Sequence, residues 1–216
     1  MAATAVMESI AMMIMSFLAG FIFFYFISSQ EKTEKKNQIS VLTSLLIDFV
    51  IYIWVGKIIV HMDIFFKDPI AILAIPGNSQ AFYLAVVFIL IHIFVQTKRG
   101  QLDPFKVMEV FFYTFFSASF VYEFLQLTWN EDTYSWPYLP LLFVLLSGMV
   151  ALHDRMPSMR LMPIIVFIWS MGQLLFAINR PFTTVFGYSI DWWFFLLIAI
   201  AMLFVAVINR RERVKS

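Results

Sequence analysis

The chain has 216 residues, 62% of them hydrophobic and only 13% charged, with a formal net charge of +1. A soluble domain carries about 25% charged residues, and 26 phenylalanines would leave such a domain coated in apolar surface. The composition therefore excludes an ordinary soluble protein, and the absence of cysteine excludes disulfides, thiolate catalysis and thiolate-held metals or clusters.

Apolar runs of about 20 residues are long enough to cross a roughly 30 Å hydrocarbon core. Seven such runs fall near 7–28, 40–62, 81–96, 107–129, 138–153, 161–179 and 191–209, the third and fifth being short. They predict an all-α, seven-helix bundle forming one transmembrane domain over residues 1–216. Glu8 precedes the first run and the lysines follow it, the reverse of a signal peptide, so the run is expected to stay as a helix. The connections read as loops: "SSQEKTEKKNQ", "KDPIAILAIPGNSQ" with two prolines and Gly-Asn, "QTKRGQLDP", "NEDTYSWPYLP", "HDRMPSMR" and "RPFTTVFGYSID". No internal repeat is evident.

The first, third and fifth loops and the C-terminal tail hold twelve Lys and Arg residues, against Lys67 and Arg180 on the other side. This positive-inside bias predicts the N-terminus outside and the C-terminus in the cytoplasm. Trp129, Tyr134, Trp136, Tyr138, Tyr188, Trp192 and Trp193 then form an aromatic belt at the outer ends.

Charges inside spans cost roughly 2.5–3.5 kcal/mol each on insertion scales, so each needs a partner or a task. At about 1.5 Å per residue, Asp48 lies near mid-membrane in the second helix, with Lys57 and His61 deeper and on one face. Nine residues place Asp48 and Lys57 on opposite faces, so they do not pair along a regular helix. Glu109, Tyr113 and Glu123 form a narrow stripe on the fourth helix, while Ser170, Gln173 and Arg180 share a side of the sixth. Lys57, His61, Glu123, Gln126, Gln173 and Arg180 converge by depth beneath the outer surface, with Asn78, Ser79 and Gln80 just above. One reading is an outward-facing polar cavity for a phospholipid headgroup, with Lys57 and Arg180 on its phosphate. The other is a Lys57–Glu123 ion pair that only fixes packing. Asp48 is read either as part of a proton or cation pathway or as a hydrogen-bonded, protonated carboxyl. His92 and His153 fall at the cytoplasmic boundary, where water is expected to satisfy them. Paired catalytic carboxylates, His-x-x-x-His, a nucleophile elbow, a phosphate-cradling glycine loop and a nucleic-acid patch are all missing. No metal or cofactor is expected.

The order of features resembles the prolipoprotein diacylglyceryl transferases. "VGKIIVHMDIFFKDPIAILAIPGNSQAFY" is similar to that family's Gly-x-Arg helix end, Pro-x-x-Ile-Leu turn and Gly-rich loop, with Lys57 in the arginine's place. "QTKRGQLDPFKVMEV" is similar to its basic cytoplasmic loop. "GQLLFAINRP" matches the spacing of Arg-x-x-x-Glu-x-x-Arg-x-Pro, with Arg180 on the last arginine. The resemblance runs over about residues 40 to 209 and implies the seven-helix fold, a phospholipid cavity and a bacterial-type plasma membrane. The departures concern the chemistry. "PGNSQAFY" lacks the family's His-Gly-Gly; Gln173 and Ala177 stand for its first Arg and its Glu. "YEFLQ" replaces Gly-Arg-x-Gly-Asn, with Glu123 by the arginine's place and Gln126 near the asparagine's. Losing two arginines removes much of the phosphate attraction, so the resemblance implies lipid binding without implying transfer. Membrane phospholipid, and a lipoprotein or membrane-protein partner, are the expected contacts. Two readings from other classes stand beside it: a small proton- or ion-coupled transporter using Asp48, Lys57 and Glu123, and an accessory subunit whose buried charges pair with a partner's helices.

Overall fold

A computed structural model describes the backbone of residues 2–74, 78–130, 136–180 and 183–214, with side chains within 7–72, 78–130, 136–180 and 183–207. In chain order the elements are α1 (Ala2–Ile27), α2 (Lys32–Val60), α3 (Met62–Lys67), α4 (Ala71–Ala74), α5 (Ser79–Lys98), α6 (Pro104–Trp129), α7 (Tyr138–His153), α8 (Ser158–Asn179), β1 (Thr183–Val185), β2 (Tyr188–Ile190) and α9 (Trp192–Val214). Each of the seven apolar runs is helical. Helix α6 starts cleanly because the Asp103 carboxylate accepts from the Phe105 and Lys106 backbone N–H groups and Pro104 fills the first turn. Asn78 caps α5 in the same way, accepting from the Ala81 N–H at 2.8 Å.

Among the described residues, α1, α2, α5, α6 and α8 are long and apolar enough to cross a membrane. The apolar helix α7 is shorter, at Tyr138–His153, and within the described side chains α9 is apolar over Trp192–Val207. Large apolar side chains such as Ile47, Val50, Trp54, Leu90, Phe94 and Phe204 point away from the bundle. Such a surface is stable against lipid and not against water, so the fold is that of a multi-pass membrane protein.

Helix α1 packs chiefly on α6, α2 on α5, and α8 on α9. Small residues sit where helices approach closest. A Cβ on Gly20 would stand 2.6 Å from the Thr114 carbonyl oxygen of α6, and one on Gly56 would stand 2.7 Å from that of Ala81. Tyr113, Phe116, Leu142, Met149, Met162, Trp169 and Phe195 fill the interior between α6, α7, α8 and α9. At the polar starts of α2 and α6, outside their apolar stretches, Lys106 Nζ lies 2.6 Å from a Glu34 oxygen and holds that carboxyl below its usual pKa.

Two loop expectations differ from the structure. Residues 62–67 and 71–74 form short helices, and the connection before α9 is a β-hairpin. Val185 pairs with Tyr188, leaving a two-residue turn in which Phe186 (φ 50°) and Gly187 (φ 78°) both take positive φ. Positive φ at both positions suits a right-twisted hairpin, but a phenylalanine there is strained. Packing offsets the strain: the Phe186 ring stacks on Phe17 at 5.1 Å and meets Tyr122 at 5.3 Å and Phe115 at 5.8 Å. The hairpin is thereby pinned onto α1 and α6.

The aromatic belt also needs correction. Trp129, Trp136, Trp192 and Trp193 are exposed, whereas Tyr138 is buried in the core. Its hydroxyl accepts a 2.7 Å bond from Trp169 Nε1, a partner 31 residues away that turns it inward. Tyr134 lies outside the described residues.

Candidate functional site

Among the described residues, a group of buried polar side chains lies where α6, α7 and α8 meet. Helix α6 supplies Ser119 and Glu123, one turn apart; α7 begins with Tyr138; α8 supplies Trp169, Ser170 and Gln173, again on one face. Glu123 is 4% exposed and Gln173 1%. The Gln173 and Ser119 side chains lie beside the Tyr138 hydroxyl. Yet neither Gln173 Nε2 nor Ser119 Oγ reaches a hydrogen-bond partner. Each such atom costs about 1–3 kcal/mol relative to a satisfied one. The cluster offers two idle polar atoms beside a carboxyl side chain, a pattern suited to a hydroxyl-bearing guest that can both accept and donate.

The other residues singled out by depth sit around this cluster or apart from it. Gln126 extends the polar line along α6, donating to the Tyr122 hydroxyl at 2.8 Å and accepting from Asn130 at 2.6 Å. The same Tyr122 hydroxyl lies beneath Gly187, where a Cβ would meet it at 3.1 Å. His61 Nε2 is 3.1 Å from Asn78 Nδ2, tying the end of α2 to the start of α5, and Lys57 is half-buried one turn earlier. Arg180 ends α8 in extended backbone, with its guanidinium 5.8 Å from the centre of the Phe176 ring. Tyr83 and Asp191 close the same end of the bundle, bonded twice at 2.8 and 3.0 Å.

Asp48 and Tyr113 belong to a different layer, and the two histidines assigned to water belong with them. Tyr52 Oη lies 2.7 Å from His92 Nδ1, with Asp48 Oδ2 3.6 Å from the same nitrogen and Gln96 bonded to Nε2. Tyr113 Oη lies 2.7 Å from His153 Nδ1, and Ser29 Oγ is 3.1 Å from its Nε2. Glu109, four residues before Tyr113, accepts from Ser158 at 2.7 Å and from Gln30 at 3.1 Å. Both histidines are therefore held by protein groups. The constellation occurs twice with one spacing, a carboxylate four residues before a tyrosine and a histidine forty residues after it. That repeated spacing is the sequence signal that depth alone passes over.

Among the described residues no group of three His, Asp or Glu side chains lies close enough to hold a metal ion. The chain matches no protein-family model, no curated protein and no solved structure.

Proposed function

We propose that this multi-pass protein has seven spans, with the N-terminus outside and the C-terminus in the cytoplasm. In this reading it shares the architecture of the prolipoprotein diacylglyceryl transferases and binds the headgroup of a phospholipid or lipid-linked substrate at the Glu123–Tyr138–Gln173 cluster. The observation that carries the reading is the pair of idle polar atoms, Gln173 Nε2 and Ser119 Oγ, buried beside Glu123. A membrane bundle gains nothing from a buried donor without an acceptor unless something supplies one. Headgroup hydroxyls would donate to Glu123 and accept from Gln173 Nε2 and Ser119 Oγ, while Lys57 and Arg180 would take the phosphate. The twelve-to-two distribution of basic residues supports seven crossings, with thinning of the bilayer accommodating the 16-residue α7. The reading assigns no reaction, since a glutamate and an amide occupy the places where the resemblance expects arginines.

Native mass spectrometry of protein purified in mild detergent tests it. Gln173→Arg restores a phosphate fork and is expected to raise retention of phosphatidylglycerol over phosphatidylethanolamine by roughly ten-fold. Glu123→Gln removes a carboxylate that repels phosphate and should shift retention the same way, by less. A folded Gln173→Arg protein with an unchanged lipid complement would reject the proposal.

A further inference from the structure

The two carboxylate–tyrosine–histidine constellations have different surroundings, and the difference marks a second site. At the α6–α7 copy protein groups meet the polar atoms: Ser29 reaches His153, and Ser158 and Gln30 each bond one oxygen of Glu109. At the α2–α5 copy a cleft of about 370 Å³ opens beside His92 instead. Its polar end is Tyr52, His92, Gln96, Arg99 and Gln101, and its wall is Phe88, Ile91 and Val95. Helix α5 is the least buried of the five long spans, and Ile91, Phe94 and Val95 face outward. The cleft thus has an apolar flank continuous with the lipid-facing side of α5 and a cationic, donor-rich end at the last turn of that helix.

We propose that this cleft binds the phosphate headgroup of an anionic phospholipid from the leaflet bathing the Lys98–Arg99 end of α5. Arg99 caps the helix and presents its guanidinium fork to the phosphate, with the Gln96 and Gln101 amides as further donors. Asp48 Oδ2, 3.6 Å from His92 Nδ1, and Tyr52 Oη, 2.7 Å from the same nitrogen, hold the imidazole ring at the cleft's edge. One acyl chain follows Phe88, Ile91 and Val95 into the bilayer. Lys98 is the internal control, because its ammonium folds back to 5.6 Å from the centre of the Phe94 ring and takes no part in lining the cleft. The site shares no residue with the Glu123 cluster, so the two proposals fail separately.

The test compares the full chain in nanodiscs of phosphatidylcholine doped with phosphatidylglycerol, scoring phosphatidylglycerol retained on the protein by native mass spectrometry. Arg99→Gln is expected to lower retention by roughly ten-fold, the loss of one charge-assisted phosphate contact. Gln101→Glu, which sets a like charge beside the phosphate without touching the core, should lower it as well. Lys98→Gln should leave it within about two-fold, since an exposed charge outside the site contributes little. Equal losses in Lys98→Gln and Arg99→Gln would mean that unspecific attraction alone draws the lipid, and would overturn the proposal. So would unchanged retention in both Arg99→Gln and Gln101→Glu.

Discussion

A Gly20→Val protein is expected to lose about 3 kcal/mol of stability, the upper part of the range for forced overpacking. The first atom a new Cβ meets is not a side chain that can swing away but the Thr114 backbone carbonyl, at 2.6 Å, followed by Thr114 Cγ2 at 2.9 Å. Relief requires α1 to move off α6, which opens the α1–α6 contact along its length. Packing and close backbone approach drive helix association in lipid, so nothing compensates for the gap. Thermal unfolding in detergent should show the loss, and Thr114→Ala should rescue little because the carbonyl remains. Gly172 gives the contrast. Its Cβ would meet the end of the Leu141 side chain at 2.5 Å, so Gly172→Ala should cost less than about 1 kcal/mol and be relieved by Leu141→Ala.

Trp169→Ala is expected to cost about 4 kcal/mol, within the range for emptying a buried tryptophan site. The indole touches Phe115, Phe116 and Phe195 edge-on at 5.3, 6.1 and 5.7 Å, joining α6, α8 and α9 through one ring. Its N–H is also the donor that holds the Tyr138 hydroxyl in place. Trp169→Phe keeps most of the packing and deletes the donor. It should cost only about 1–2 kcal/mol while releasing Tyr138 from the Glu123–Gln173 cluster. Chemical denaturation of the two variants, read by the remaining tryptophan fluorescence, separates the packing loss from the hydrogen-bond loss.

The helices were legible in the sequence because apolar runs near twenty residues long leave few alternatives. Their ends were less so. Helix α2 begins at Lys32, eight residues before its apolar run, because Lys and Glu are good helix formers and the helix continues into water. The hairpin gave no warning: its turn is Phe-Gly where Asn-Gly would have announced it, and the phenylalanine is tolerated only through ring contacts with α1 and α6. Tyr138 looked interfacial because it starts an apolar run next to Trp136, and only Trp169 on another helix reveals it as core. Depth places Glu123 and Gln173 at one height, and in the structure Gln173 lies beside Tyr138, a residue that depth alone does not offer. For His92 and His153 depth misled, since a residue near the boundary still takes protein partners when a tyrosine and a carboxylate share its level.

The idle donor is the point on which the proposed function turns, and Gln173→Met examines it directly. If the amide is kept for a guest, replacing it with an apolar side chain of similar volume removes an unsatisfied buried group. The delipidated protein should then unfold about 1–2 kcal/mol later than wild type, while losing the bound lipid. A Gln173→Met protein that is less stable than wild type in the same delipidated state would contradict the account, because it would show that the amide is already satisfied within the bundle.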